Sequence, residues 1–221
     1  RSTMYLEHAQ DVLGQWLDWR RESKTALVIV TATEGGAVRM PGALMAVSAT
    51  GDRCGYISGG CIDADVAHHA RQALSTGRVK RLRDGKGSPF IDLPLPCGGA
   101  IDVCVLPNAQ VSVLRACHDQ LASRQPVTIT LSDSGSLGLG HLPTPGTLSF
   151  QYIPKLRLRI AGRGADSLAL ARLATASGIH TELHLRDAAE AQDAHRLGTG
   201  RVTLLTVPSA LPKLDDDPWT A

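Results

Sequence analysis

Two short stretches hold the residue types best suited to chemistry: Ser58-Gly59-Gly60-Cys61 and Pro96-Cys97-Gly98-Gly99 each set a cysteine beside a glycine pair. Adjacent glycines reach backbone angles closed to other residues and let a ligand approach the main chain. Ser58–Cys61 opens a helix predicted from Asp63 to Ser75, with Ser58 or Asp63 as its cap. The free amides of a first helical turn carry partial positive charge, which favours a phosphate and lowers the pKa of a thiol. Cys61 is therefore a candidate thiolate in an anion cradle, although a tight turn around a small buried cysteine reads the same way. Cys97, in the loop Leu93–Ala100, has better access than Cys104, which falls inside a strand, or Cys117, on a helix. Arg39 follows Gly35-Gly36-Ala37-Val38 and can grip a phosphate bidentately, or be a plain surface arginine. His68 and His69 point about 100° apart around one helix and are poorly placed to share a metal.

Composition excludes several classes. With 23 basic and 21 acidic residues the net charge is +2, too small to favour nucleic acid as a partner. No apolar run has the length of a membrane span, and the N-terminus lacks a signal peptide's apolar core. Five cysteines, an odd number without a CxxC pair, argue against a disulfide framework or structural zinc and for a reducing, cytoplasmic setting. The first methionine is Met4, which suggests a fragment.

The predicted elements place these residues in an α/β chain. Apolar positions Leu6, Val12, Leu13, Trp16, Leu17 and Trp19 give residues 5–22 a helical period. Ala26–Thr31 is apolar and β-branched enough for a buried strand, and Ala43–Ala49 with Arg53–Ile57 forms a hairpin about Gly51-Asp52. Further strands are expected at Val79–Leu82, Ile101–Leu106 and Val127–Leu131, with a helix over residues 110–123. Residues 1–131 make an N-terminal mixed α/β domain. The Ser/Gly/Pro-rich run that follows marks a linker over residues 132–155.

Residues 156–221 restart as strand, glycine turn, helix, strand, acid, the opening of a Rossmann-like domain. Gly162 makes the turn, Gly164 admits a pyrophosphate and Asp187 meets a ribose, with Ser167 in place of the third glycine. Arg201–Val207 offers a third strand. Three strands fall short of a full sheet, so the domain reads as incomplete beyond Ala221.

These motifs together resemble the XdhC/CoxI family, accessory factors of xanthine dehydrogenase and related molybdenum hydroxylases. The resemblance runs through Gly35–Arg39, Gly42-Ala43 and Met45, Gly55–Asp63, Gly87–Phe90, Leu95–Gly99 and Gly162–Gly164. It implies binding of the molybdenum cofactor, a phosphorylated pterin dithiolene, and its protection while a cysteine desulfurase exchanges an oxo ligand for sulfur. Delivery to an apo-molybdoenzyme of the xanthine dehydrogenase family follows, by a chaperone, expected as a homodimer, rather than a catalyst. On this reading Arg39, Ser58, Gly59, Gly60, Cys61, Cys97, Gly98 and Gly99 line the cofactor site, with Cys61 nearest the molybdenum. The alternative is an NAD(P)-dependent oxidoreductase using Gly162, Gly164 and Asp187.

Overall fold

The computed structural model describes residues 3–4, 6–60, 62–88, 98–140, 144–198, 200–205 and 215–221. The chain forms two compact units, Arg1–Ile153 and Pro154–Ala221. The first is built on a six-stranded sheet of β1 (Thr3–Met4), β2 (Thr25–Glu34), β3 (Leu44–Ser48), β4 (Arg53–Gly55), β5 (Lys80–Gly85) and β6 (Ala100–Leu106). Their order is β1-β4-β3-β2-β6-β5, antiparallel except for the parallel β1–β4 pair. Helices α1 (Ala9–Glu22) and α3 (Val111–Ala122) cover one face and α2 (Asp63–Thr76) the other.

Period-two alternation divides β2 between two cores. Leu27 and Ile29 pack with Val12, Leu13, Trp16 and Leu17 of α1 and with Leu114, Cys117 and Leu121 of α3. Ala26, Val28 and Val30 pack with Val66, Ala70 and Ala73 of α2. Residues 26–30 are fully buried, so substitution of Leu27 or Ile29 by alanine removes about 2–5 kcal/mol.

Of the expected linker over residues 132–155, residues 132–153 fall within the first unit, and Pro154 and Lys155 begin the second. Strand β7 (Val127–Leu131) pairs antiparallel with β8 (Leu137–Leu139) and β9 (Leu148–Tyr152). Leu148, Phe150 and Tyr152 alternate with Ser149 and Gln151, and Phe150 and Tyr152 enter the core beneath α1 and α3. The Ser/Gly/Pro content belongs to the turns of this small sheet.

The second unit holds β10 (Arg157–Ala161), α4 (Gly164–Ala176), β11 (His180–Leu185), α5 (Ala188–Arg196) and β12 (Arg201–Leu204). The strands are parallel in the order β10-β11-β12, and both helices contribute to one core with Ile160, Leu183 and Leu185. Residues 219–221 bond to the free edge of β10. Arg157 and Arg159 hold Asp215, Asp216 and Asp217 beside it. No helix among the described residues is long and apolar enough to cross a membrane.

The small sheet also supports the loop after β2. The Tyr152 hydroxyl donates to the Gly42 carbonyl at 2.8 Å, and Phe150 packs where a Gly42 side chain would stand. Tyr152→Phe should therefore cost about 1–2 kcal/mol in urea unfolding, because the buried Gly42 carbonyl loses its partner; an unchanged midpoint would show that the bond does not hold the loop.

Candidate functional site

Antiparallel pairing gathers the glycine loops at one edge of the six-stranded sheet. Glu34 and Gly85 both lie opposite Ala100, Ile29 lies opposite Leu44, and Met45 opposite Gly55. The loop after β2, the turns after β4 and β5, and the approach to β6 consequently open in one direction. A register shift between Val30 and Ala32 bends β2 just before its glycines.

Loop 35–42 touches both neighbours. A Cβ built on Gly35, where φ is +72°, would lie 3.0 Å from the Gly99 Cα, and one on Gly59 would lie 3.7 Å from Val38. Gly98–Gly99 and Ser58–Gly60, expected to share a site, thus flank the same loop. Among the described residues nothing lies within 4 Å of a Cβ built on Gly60 or Gly98. Cys61 and Cys97 lie outside the described residues.

Within the Ser58–Gly60 turn, the amides of Ser58 and Gly60 are bonded inside the protein. Asp63, at the first position of α2 and 4% exposed, turns its carboxylate back into the loop. Asp63 Oδ1 accepts from the amides of Ile57 (2.8 Å) and Ser58 (3.4 Å), and Oδ2 accepts from the Gly60 amide (3.1 Å) and the Ser58 hydroxyl. Ser58 Oγ in turn accepts from Gly60 and Ile62. The anion in this cradle is the protein's own carboxylate. Neither Ser58 nor Asp63 caps α2; its N-cap is Ile62, without a side-chain bond.

Arg39 is likewise engaged. Its Nη2 donates to the Glu7 carbonyl at 2.8 Å, Nη1 pairs with the Glu7 carboxylate at 3.0 Å, and the guanidinium lies 4.5 Å from the Tyr56 ring centroid. At 12% side-chain exposure it is a cation–π and ion-pair anchor for the loop.

A different arginine, missed in the sequence, ties the remaining loops. Arg83 on β5 donates through Nη2 to Glu34 (2.6 Å), through Nη1 to Asp102 (2.7 Å) and through Nε to the Lys86 carbonyl (3.0 Å). Bonding to Arg83 holds the Glu34 carboxyl below its usual range. The signal was the pairing itself, since Arg83 stands directly opposite Asp102 on β6. The Lys86 amide donates to the Gly99 carbonyl at 3.0 Å, joining the turn after β5 to the second glycine pair.

Three cysteines are excluded from the chemistry. Burial pushes the thiols of Cys54 and Cys117 up to about 12 and raises that of Cys104, so all three stay protonated. His68 bonds Gln72 and His69 pairs with Asp65, and no metal-binding cluster occurs among the described residues.

The glycine turn of the second unit is also internally occupied. The Gly164 amide donates to Glu190 Oε1 at 2.9 Å, and Ser167 Oγ fills the space where a Gly162 side chain would stand. Asp187, expected at a ribose, is the N-cap of α5, accepting from Ala189 and Glu190 at 2.8 and 2.9 Å. The Asp187-to-Glu190 spacing, a capping-box pattern, was the available sign of this unanticipated helix. Asp63→Ala should destabilise the first unit by about 3 kcal/mol in urea unfolding, since it leaves several buried donors unpaired; a shift under about 0.5 kcal/mol would mean that solvent replaces the carboxylate.

Comparison with known proteins places the chain. Residues 18–84 match the model of the XdhC and CoxI family. Over 187 residues the chain is 34% identical to the molybdenum cofactor insertion chaperone PaoD of Escherichia coli K12, an alignment taking in 80% of this chain and 58% of that protein. The chain thus spans little more than half the length of this curated relative. Among solved structures, a Bacillus halodurans protein described as a xanthine dehydrogenase shares the fold, with a TM-score of 0.74 over 89% of this chain and 68% of that one at 20% identity. Residues 18–84, which run from α1 through the Arg83 pairing on β5, belong to the XdhC and CoxI family.

Proposed function

We propose that this chain binds the molybdenum cofactor, shelters it during sulfuration by a cysteine desulfurase, and inserts it into an apo-molybdoenzyme of the xanthine dehydrogenase family. The observation that carries this reading is the meeting of loop 35–42 with Gly99 on one side and Gly59 on the other. It brings the glycine pairs of both motifs to one edge of one sheet, and the likeness to a molybdenum cofactor insertion chaperone covers most of the chain.

The described residues suit a bulky anionic ligand. Among the described residues nothing fills the space beside Gly60 and Gly98, and the rim is apolar where Val38 and Met40 are 65% and 72% exposed. Such a rim excludes water from one side of a pterin. When bound, the cofactor supplies the molybdenum centre; the chain supplies the cleft and, in this proposal, the soft sulfur donors Cys61 and Cys97. The three buried cysteines do not compete, because their thiols remain protonated at neutral pH.

Dinucleotide oxidoreduction is the weaker reading. A pyrophosphate at Gly164 would have to displace the Glu190 carboxylate and meet its negative charge.

Anaerobic equilibrium dialysis against molybdopterin and against NADH separates the two. Wild-type protein should retain molybdopterin and not NADH, and Cys61→Ala and Cys97→Ala should each lose most of that retention. Full retention by Cys61→Ala would remove that thiol from the site, and NADH bound by the wild type would favour the oxidoreductase.

A further inference from the structure

Within this reading, the phosphate end of the ligand needs donors, and most of the groups first expected to supply them are engaged elsewhere. The amides of Ile57, Ser58, Gly60 and Ile62 answer to Asp63 and Ser58, and Arg39 answers to Glu7 and Tyr56. The loops one strand further along the same edge differ. The amides of Gly35, Gly36, Gly98 and Gly99 donate to no partner among the described residues, and Gly99 is itself buried. The two pairs approach so closely that a Cβ on Gly35 would stand 3.0 Å from the Gly99 Cα. Beside them Lys86 is exposed; its ammonium lies in the field of Glu34 but forms no ion pair among the described residues.

We infer that the meeting of Gly35-Gly36 with Gly98-Gly99 is the seat of the ligand's phosphate monoester, with Lys86 as its cation and Arg83 as the positioning residue. Glycine amides set close together form an anion-binding concavity, because no side chain keeps the oxygens from the N–H groups. Arg83 fixes the concavity from below. Its fork spans the end of β2 through Glu34, the start of β6 through Asp102, and the turn after β5 through the Lys86 carbonyl. With both carboxylates engaged by the fork, Lys86 is left to meet the phosphate. Arg83 touches no ligand; it acts by holding three chain segments in one arrangement. Lysine in its place keeps the charge but cannot reach three acceptors in a plane.

The inference rests on the cofactor-chaperone reading, and its test separates the two. Wild-type protein, Lys86→Ala and Arg83→Lys are compared for anaerobic binding of molybdopterin and of phosphatase-treated molybdopterin, with thermal melting in parallel. Lys86→Ala, which loses a charge-assisted contact, and Arg83→Lys, which loses a positioning one, should each weaken the phosphorylated pterin roughly 10- to 100-fold. Binding of the dephosphorylated pterin should change less than about threefold, within the usual spread of single-contact effects. Melting of Lys86→Ala should be unchanged, which separates loss of a ligand contact from loss of fold. Equal weakening toward both pterins, or no weakening in Lys86→Ala, would overturn the inference while leaving the chaperone reading intact. Wild-type protein that binds neither pterin would overturn the chaperone reading, and the phosphate seat with it.

Discussion

Hydrogen bonding along both edges of β2 is the constraint from which the ligand-facing edge follows. Because β3 and β6 both run antiparallel to it, the chain leaves β2 at the edge where those strands begin. The adjoining β4 and β5 end there as well. Five strand ends thus open side by side. The two-sided burial of residues 26–30 makes this register hard to change, since a one-residue slip would exchange the two apolar cores.

A second theme is the carboxylate folded into a glycine turn. Asp63 in the first unit and Glu190 in the second each accept from amides that a sequence motif alone would assign to a phosphate. A buried carboxylate needs several donors to offset its lost hydration; the turn before α2 supplies them to Asp63, whereas Glu190 accepts from the Gly164 amide. The turns gain rigidity in return. Glycine spacing therefore signals an anion site, but not whether the anion is a ligand or a side chain.

Much of the fold was legible in the sequence. The apolar run of β2, the helical periods of α1 and α2 and the parallel start of the second unit carry strong patterns, and the structure has them. Boundaries shifted where tertiary bonds intervene: β4 ends at Gly55, because Asp63 claims the amides of Ile57 and Ser58. Strands β8 and β9, which flank β7, were hidden because Leu137-Gly138-Leu139 is short and its neighbours are rich in turn residues, although Leu148, Phe150 and Tyr152 alternate visibly. Within the candidate site, the glycine pairs could be read and their occupants could not. The Arg83 fork depends on strand register, and the Arg39 contact joins residues 32 positions apart. Neither relation exists until the sheet has formed.

The placement of Cys54, Cys104 and Cys117 has a consequence for any chemistry in which sulfur changes hands. A thiol held protonated inside packed side chains is a poor nucleophile and a poor acceptor, so persulfides, oxidants and alkylating agents should pass these three by. Of the five cysteines in the chain, only Cys61 and Cys97 are thereby left for the sulfur chemistry proposed above.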